Sequence, residues 1–282
     1  ILAPNTDEQK KYLDAWEAYT QTDKVVVKFV PASGAASRMF KNLFEFLGAD
    51  YDAPQTGFEK TFFENIEKFA FYDDLNTACR RTAGKDISAL LAAGNYKAVV
   101  AALLEGAGLN YGALPKGLLK FHKYEDGSRT PLEEHLVEGA LYAVNKNGKV
   151  NVHFTVSPEH RALFKALVDE KAAAYAKKYG VDYNITFSEQ KPSTDTIAAD
   201  MENKPFRDNG KLLFRPGGHG ALIENLNDLD ADIIFIKNID NVVPDKLKGD
   251  TVLYKKLIAG VLVALQQKVF AYLQLLESGK YT

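Results

Sequence analysis

The sequence predicts an α/β protein with a mostly parallel sheet, helices on both faces and a helical insertion. Three observations support this class. A β-branched run, Lys24–Val30, ends in a turn of small residues, which is typical of a buried strand. Beyond about residue 150, strand-like and helix-like segments alternate along the chain. Between these two regions the apolar residues recur at helical spacing alone.

By size the chain could form one large α/β domain or two smaller ones. The 282 residues are 46% hydrophobic, which is enough for a sizeable core, and no low-complexity linker divides them. We therefore expect a single α/β domain over residues 1–282.

The N-terminal elements follow from local patterns. Between Asn5 and Thr20 the apolar positions have helical spacing, so we expect a leading helix with Thr6 as its cap. Lys24–Val30 forms the first strand, because a β-branched run with little alternation needs cover on both faces. A helix is expected to start near Ser37 and to turn its apolar side inward.

The block from Asp50 to Gly112 has no strand-like pattern. Its apolar residues follow helical spacing, with breaks at Gly94 and Gly106. We expect a helical insertion at about residues 50–112 that packs beside the sheet.

The remainder of the chain alternates strands with helices, which implies parallel pairing. The expected elements are a strand over Val150–Val156, a helix between Ser157-Pro158 and Gly180, a strand over Val181–Ser188, a hairpin turn at Asp208-Asn209-Gly210, a strand over Ala231–Ile236 and a long helix at about residues 251–278.

The net charge and the cysteine content limit the redox compartment and the classes of partner that we expect for this protein. The formal net charge of −2 gives no sign of a nucleic-acid-binding surface, so any phosphate site must be local. Cys79 is the single cysteine, which excludes an intrachain disulfide and fits a reducing compartment. The longest apolar run, Leu257–Leu265, is too short to span a bilayer, and the first residues lack a signal-peptide core. We expect a cytoplasmic protein without a nucleic-acid or membrane partner; the oligomeric state stays open.

The most informative segment is VVVKFVPASGAASR, residues 25–38. A strand that ends in small residues leaves backbone N–H groups unobstructed, and together with Arg38 these groups make a place for phosphate oxygens. A guanidinium just beyond the turn can bind phosphate with two parallel hydrogen bonds. The alternative is that the small residues serve only close packing of helix against sheet.

Two further segments carry candidate polar side chains. In LPKGL, residues 114–118, Lys116 lies between proline and glycine, so its backbone is restricted and its ammonium could act as a positioned charge. In FSEQ, residues 187–190, Gln190 follows a strand at the edge where open α/β sheets bind ligands. It could bind a base edge, or it could cap the next turn.

Two later segments complete the set. RPGGHGAL, residues 215–222, contains Gly217, Gly218 and Gly220, a density that suits close backbone approach to a ring or phosphate. His219 within it is either a ligand contact or a structural hydrogen-bonding group. Asp240 follows the strand that ends in IIFI and is a reasonable Mg²⁺ ligand there, unless it only forms a turn with Asn241.

The order of these segments resembles that of the UDP-sugar pyrophosphorylases, sugar nucleotidyltransferases with a glycosyltransferase-A-like fold. In that family a loop close to GGxGTR binds the triphosphate, the lysine of PKG contacts phosphate, a glutamine and a PxGNGG segment hold the uracil ring, and the aspartate of a DN pair lies near the sugar phosphate or metal. The resemblance covers most of Lys24–Pro244. It assigns Ser33, Gly34, Ala35, Ala36, Ser37 and Arg38 to the triphosphate, Lys116 to phosphate, Gln190, Gly217 and Gly218 to the base, and Asp240 to the metal or sugar phosphate.

The chain departs from the family pattern at several positions. Ser33 and Ala36 replace two loop glycines, and His219 stands where the family has asparagine. The helical block has no counterpart in the family's short link between the loop and PKG. After Asp240 the family continues into a sugar-binding half, whereas this chain forms one long helix.

The resemblance favours a nucleotidyltransferase that couples a nucleoside triphosphate, UTP before others, to a sugar 1-phosphate with release of pyrophosphate and with Mg²⁺ as cofactor. Arg38 and Lys116 are the expected catalytic residues. Two alternatives stay open. One is a nucleotide-binding or nucleotide-sugar-binding protein without turnover. The other is a glycosyltransferase whose DxD triplet would be Asp228-Leu229-Asp230 or Asp230-Ala231-Asp232, although both precede a strand rather than end one.

Overall fold

The computed structural model describes residues 2–279, with the exception of the His219 side chain. Ten α-helices and ten strands are seen in this range. The helices are α1 (Thr6–Thr20), α2 (Lys41–Gly48), α3 (Gly57–Glu64), α4 (Tyr72–Ala83), α5 (Ile87–Ala92), α6 (Tyr96–Leu104), α7 (Pro131–Tyr142), α8 (Arg161–Tyr179), α9 (Ile223–Asn227) and α10 (Lys248–Glu277). The strands are β1 (Val26–Pro31), β2 (His122–Tyr124), β3 (Gly127–Arg129), β4 (Lys149–Val156), β5 (Asp182–Glu189), β6 (Thr196–Ile197), β7 (Arg207–Asp208), β8 (Lys211–Leu212), β9 (Phe214–Arg215) and β10 (Ile233–Ile236).

The central sheet has four parallel strands in the order β10-β1-β4-β5. This confirms the predicted α/β class with a parallel sheet. From β1 the chain moves outward to β4 and β5 and then crosses to the other side of β1 for β10. The strand order therefore reverses between β1 and β10, and a crevice opens at the carboxyl ends of the strands at such a point.

The helices cover the two faces of the sheet unequally. One face packs against α7 and α8 through Val150, Val152 and Phe154, which alternate along β4. On the opposite face the alternating positions of β4 and β5 are polar, and Thr186 and Asn184 are exposed. The prediction of helices on both faces therefore holds fully on one face only, because β4 and β5 alternate apolar and polar side chains as half-covered strands do.

The N-terminal helix has the expected extent but a different cap. The Asn5 side chain accepts a hydrogen bond from the Glu8 backbone, and the Glu8 side chain accepts one from the Asn5 backbone, which forms a capping box. This helix pairs with α10, where a Cβ on Gly260 would lie 1.8 Å from the carbonyl oxygen of Tyr12. Only glycine permits so close an approach of the two helices.

The predicted helical insertion is present as α3 to α6, and the described residues between 50 and 112 contain no strand. Buried aromatic side chains, among them Phe46, Phe62, Phe63 and Phe71, form a core that is separate from those on the sheet. A short hairpin, β2 and β3, then leads into α7.

The last helix, α10, is long and half covered. Leu257, Ala259, Gly260 and Val263 are buried, whereas apolar residues toward its C-terminal end are about half exposed. By length and composition the segment Asp245–Glu277 could cross a membrane, although the uninterrupted apolar run is short.

Candidate functional site

Five separate stretches of chain meet in one cleft at the reversal point of the sheet. The cleft has a volume of about 350 Å³, within the usual range for small-molecule sites. Its walls come from the loops after β1, β5 and β10, from the segment around Lys116 and from the glycine-rich segment before α9. The lining residues are Pro31, Ser33, Gly34, Lys116, Gln190, Gly217, Gly218, Leu222, Asn238, Ile239 and Asp240.

The loop after β1 is fixed by backbone hydrogen bonds on both sides. Ala32 donates to the Thr155 carbonyl on β4 (2.8 Å), and Ala35 pairs with Pro115 in an antiparallel bridge. In that bridge Ala36 donates to Leu114 and the Lys116 amide donates to Gly34. The small-residue loop therefore holds the PKG segment beside the cleft by main-chain contacts alone.

The same loop has backbone N–H groups that are not used in hydrogen bonds within residues 2–279. The amides of Ser33, Gly34 and Ala35 donate to no acceptor among the described residues. A Cβ on Gly34 would meet nothing within 4 Å, so the loop is open to the cleft at this point. Consecutive unobstructed amides form a concavity that suits an anion.

Lys116 and Asp240 face each other within the cleft. The Lys116 ammonium lies 2.5 Å from a carboxylate oxygen of Asp240, and the two side chains are partly exposed. Both are predicted site residues, and they come from segments 124 positions apart. An exposed pair of this kind is worth only about 1 kcal/mol or less, so a more highly charged ligand can separate it.

Gln190 lies in the cleft but binds protein groups. In the amide orientation that satisfies its neighbours, its nitrogen donates to the Gly217 carbonyl (3.2 Å) and its oxygen accepts from the Gly217 amide (2.7 Å). The Thr194 hydroxyl oxygen lies 3.2 Å from the same oxygen. Gln190 therefore fixes the glycine-rich segment to the end of β5.

The two glycines of that segment have different surroundings. A Cβ on Gly217 would lie 2.8 Å from the Thr194 carbonyl oxygen, so this position needs glycine for close packing. A Cβ on Gly218 would meet nothing within 4 Å, so this position faces open space. The side chain of His219, the third predicted residue here, lies outside the described part of the structure.

Several predicted residues do not line the cleft. Arg38 is exposed on the 3-10 turn Ser37–Phe40 that follows the loop. Ala36 is fully buried, Ser37 begins the turn, and Ala35 contributes the bridge to Pro115. The structure thus brings together Ser33, Gly34, Lys116, Gln190, Gly217, Gly218 and Asp240, and leaves Ala35, Ala36, Ser37 and Arg38 off the cleft wall.

Asn238, which is not among the predicted site residues, also lines the cleft. Its position directly after β10 and two residues before Asp240 was the available signal.

A buried histidine supports the loop that carries Asp240. His135 on α7 is fully buried, and its Nε2 lies 3.2 Å from the Asn238 carbonyl oxygen and 3.1 Å from that of Ile239. Burial lowers the pKa of His135 well below its usual value, so the ring is neutral and Nε2–H is the donor. His135 therefore fixes two backbone carbonyls of the loop that carries Asp240.

The same helix holds a buried charge cluster next to that loop. Glu138 accepts from the Lys28 ammonium of β1 (2.7 Å) and from the Lys237 ammonium after β10 (2.6 Å). Burial lowers the pKa of Lys28 to about 7. Burial by itself would raise the pKa of Glu138, but the two lysines outweigh it and lower that pKa to about 2. One carboxylate therefore joins α7 to both strands that border the crevice.

Helix α7 is not among the elements predicted from the sequence; its capping box was the available signal. Thr130 and Glu133 bond each other's backbone N–H groups, and Pro131 occupies the first turn. Its glutamates and histidine resemble a solvated face in the sequence, whereas in the fold they are buried and paired.

The cleft offers one carboxylate to a metal ion. Asp240 is the sole acidic residue among the described lining residues, and no group of three or more His, Cys, Asp or Glu side chains is found in residues 2–279. This set fits an ion such as Mg²⁺ that uses one or two carboxylates together with substrate phosphates. The DxD triplets lie at the other end of β10, where Asp232 bonds the Val25 amide and Lys24.

Fold and cleft together define the class: an α/β protein with a polar site at the carboxyl edge of a parallel sheet. The chain belongs to the family described as a domain of unknown function, DUF4301, whose model matches residues 1–282. A comparison with curated proteins gives no match, and a comparison with solved structures gives none either.

Proposed function

We propose that this protein is a nucleotidyltransferase with a glycosyltransferase-A-like fold. It would join a nucleoside triphosphate, UTP before others, to a sugar 1-phosphate. The supporting observation is the convergence of Ser33-Gly34, Lys116, Gln190, Gly217-Gly218 and Asp240 on one cleft. These residues are distant in sequence, and all of them are among those that the resemblance to UDP-sugar pyrophosphorylases selects; Ala35, Ala36, Ser37 and Arg38, which it also selects, lie off the cleft wall.

The reaction balances without a covalent enzyme intermediate. An oxygen of the sugar phosphate attacks the α-phosphorus, a new P–O bond forms, the bond to the β-phosphate oxygen breaks, and pyrophosphate leaves. Such a reaction depends on alignment and on neutralisation of phosphate charge. The amides of Ser33 and Gly34 supply donors, and Lys116 supplies a cation once phosphate displaces Asp240 from it.

Release from Lys116 would also free Asp240 to hold Mg²⁺, with the remaining ligands from phosphate and water. When bound, the ion would offset negative charge on the phosphates. Asn238 lines the same cleft and could supply an amide oxygen beside Asp240.

The base is assigned to the side of Gln190 and Gly218. The open space over Gly218 admits a ring against the backbone. Gln190 is committed to Gly217, so its main contribution is to hold that segment in place. The preference for uracil rests on the family resemblance.

The experiment is release of pyrophosphate from UTP in the presence of Mg²⁺ and a panel of sugar 1-phosphates. We expect Lys116→Met to lower kcat/KM about 100-fold or more, the usual loss for one preorganised donor to a reacting charge. Lys97→Met is the matched control, because Lys97 is equally exposed (26% against 25%) and is also paired with an aspartate, Asp52, in the helical block. Turnover that survives Lys116→Met, or that falls equally in both variants, would overturn the assignment.

A binding protein without turnover is the second candidate. Two observations favour it: Lys116 is already neutralised by Asp240, and Arg38 is not part of the cleft wall. Calorimetry with UTP separates the two. Binding that Lys116→Met weakens, with no product from any sugar phosphate, identifies the binding protein.

A further inference from the structure

The helical block contains a second concave site that shares no lining residue with the cleft. Its volume is about 630 Å³, against about 350 Å³ for the cleft. It begins at Met39, immediately after Arg38, and is bordered by α2, α3 and the segments around Phe71, Tyr111 and Lys120. This volume lies within the usual range for small-molecule sites, which are mostly apolar and concave.

The floor of the cavity is preformed. Phe40, Phe62, Phe71 and Tyr111 are buried members of the core of the helical block. Phe71 meets Tyr111 edge to face, with ring centroids 5.6 Å apart, and Phe40 is 6.2 Å from Tyr111. These rings are held by their neighbours, so the cavity does not depend on a ligand for its shape.

The rim is apolar and exposed. Met39, Phe58 and Phe69 line the cavity and are 46%, 43% and 36% exposed. Large apolar side chains that gather around a concave opening mark a binding site more often than side chains scattered singly over a surface.

Polar groups are few and mostly occupied. The Asn65 amide donates to the Thr61 carbonyl (2.8 Å) and accepts from Lys68 (2.7 Å). A sugar or a base placed here would leave its own polar atoms unpaired, which is costly. Among the described lining residues Lys120 is the one charged group, and its ammonium lies 2.6 Å from Asp74.

We propose that this cavity binds the aliphatic chain of an anionic amphiphile, with a carboxylate or phosphate head near Lys120. The wall rings lie at varied angles, 17° between Phe69 and Phe71 and 81° between Phe71 and Tyr111, which suits a flexible chain better than a flat ring. The anionic head would replace Asp74 as the partner of the Lys120 ammonium. Arg38, which precedes the rim residue Met39, is exposed and pairs with no described carboxylate.

The test is calorimetric titration of the full chain, without nucleotide, with decyl and dodecyl phosphate and with the matching carboxylates, all below micelle formation. We expect the affinity to rise about threefold to fourfold for each added methylene group while the chain is still being buried. The head that binds more tightly identifies the ligand class. Equal binding of dodecanol would overturn the anionic part of the proposal.

Two matched substitutions localise the binding. Thr61 is exposed and lines the cavity, so Thr61→Trp fills it without removing core contacts; Thr77→Trp makes the same change on α4 away from the lining. We expect Thr61→Trp to weaken binding about tenfold or more and Thr77→Trp to change it less than about twofold. Absence of binding at every chain length, or equal affinity in both variants, would overturn the proposal. Concentration-dependent self-association that Thr61→Trp abolishes would assign the cavity to a second copy of the chain instead.

Discussion

The buried cluster around Glu138 gives a prediction in which two substitutions of the same cluster have opposite outcomes. Glu138 is completely buried and is the one carboxylate bonded to both Lys28 and Lys237. In Glu138→Gln two buried ammonium groups would face a neutral amide. In Lys28→Met the Glu138–Lys237 pair stays complete, and one surplus buried charge is removed.

The magnitudes follow from this charge count. Breaking a buried ion pair by removal of one partner costs about 3–5 kcal/mol, so Glu138→Gln should lose at least that much unfolding free energy. Lys28→Met should be close to neutral or stabilising by about 1–4 kcal/mol, as is found when an apolar side chain replaces a buried charge. Urea unfolding followed by circular dichroism measures both, provided that the dependence on urea concentration is unchanged.

The same cluster predicts a dependence on pH. The folded-state pKa of Lys28 is about 7, below its usual value. Below pH 7 both the folded and the unfolded chain hold the proton, and the cost of burying it is constant. Between about pH 7 and 10 the folded chain releases it while the unfolded chain keeps it, so the unfolding free energy rises with pH. This rise should be absent in Lys28→Met. If Lys28→Met were as destabilising as Glu138→Gln, or kept the full rise, the reasoning would be wrong.

Three further predictions concern the cleft. Gly217→Ala should weaken UTP binding about tenfold in calorimetry, because its Cβ would meet the Thr194 carbonyl at 2.8 Å, whereas Gly218→Ala, in open space, should change binding less than about twofold. His135→Phe should cost about 1–3 kcal/mol in urea unfolding, because the Ile239 carbonyl loses its donor and the Asn238 carbonyl keeps only the Asn241 amide. Asp240→Asn should weaken the dependence of UTP binding on Mg²⁺ in a thermal-shift titration more than it weakens binding without the ion. Equal effects of Gly217→Ala and Gly218→Ala on UTP binding would contradict the assignment of Gly217. An unfolding free energy that His135→Phe leaves unchanged would contradict the role of His135, and a response to Mg²⁺ that Asp240→Asn leaves unchanged would contradict the role of Asp240.

The meeting of the cleft residues could be predicted from the sequence where they follow strands. Gln190 and Asp240 come directly after β5 and β10, and parallel strands bring such positions to one edge. Lys116 follows no strand of the sheet, and its place depends on the bridge between Ala35 and Pro115. That bridge is made of backbone groups between small residues, which carry no side-chain pattern.

Other features could not be predicted because they depend on tertiary contacts. Arg38 adjoins the loop in sequence, but a 3-10 turn begins at Ser37 and carries it away from the cleft wall. Glu134, His135 and Glu138 resemble a solvated helix face, and only their partners on other elements explain their burial. The polar residues that alternate with apolar ones in β4 and β5 indicate that one face of these strands is uncovered. A short apolar run, however, does not distinguish a strand covered on one face from a strand covered on both.

The buried polar side chains also explain why the cleft can be rigid although it is built from loops. The loop after β10 is held from below by His135, and Lys237 at its start is bonded to Glu138. The backbone of Lys116 is fixed independently by Gly34. The Lys116–Asp240 contact therefore joins two backbone segments that are each held by other contacts. In the proposed reaction, a phosphate that replaced one partner would have to restrict little further side-chain motion. A loosened α7 should then weaken ligand binding through the position of Asp240, although no residue of α7 touches the cleft.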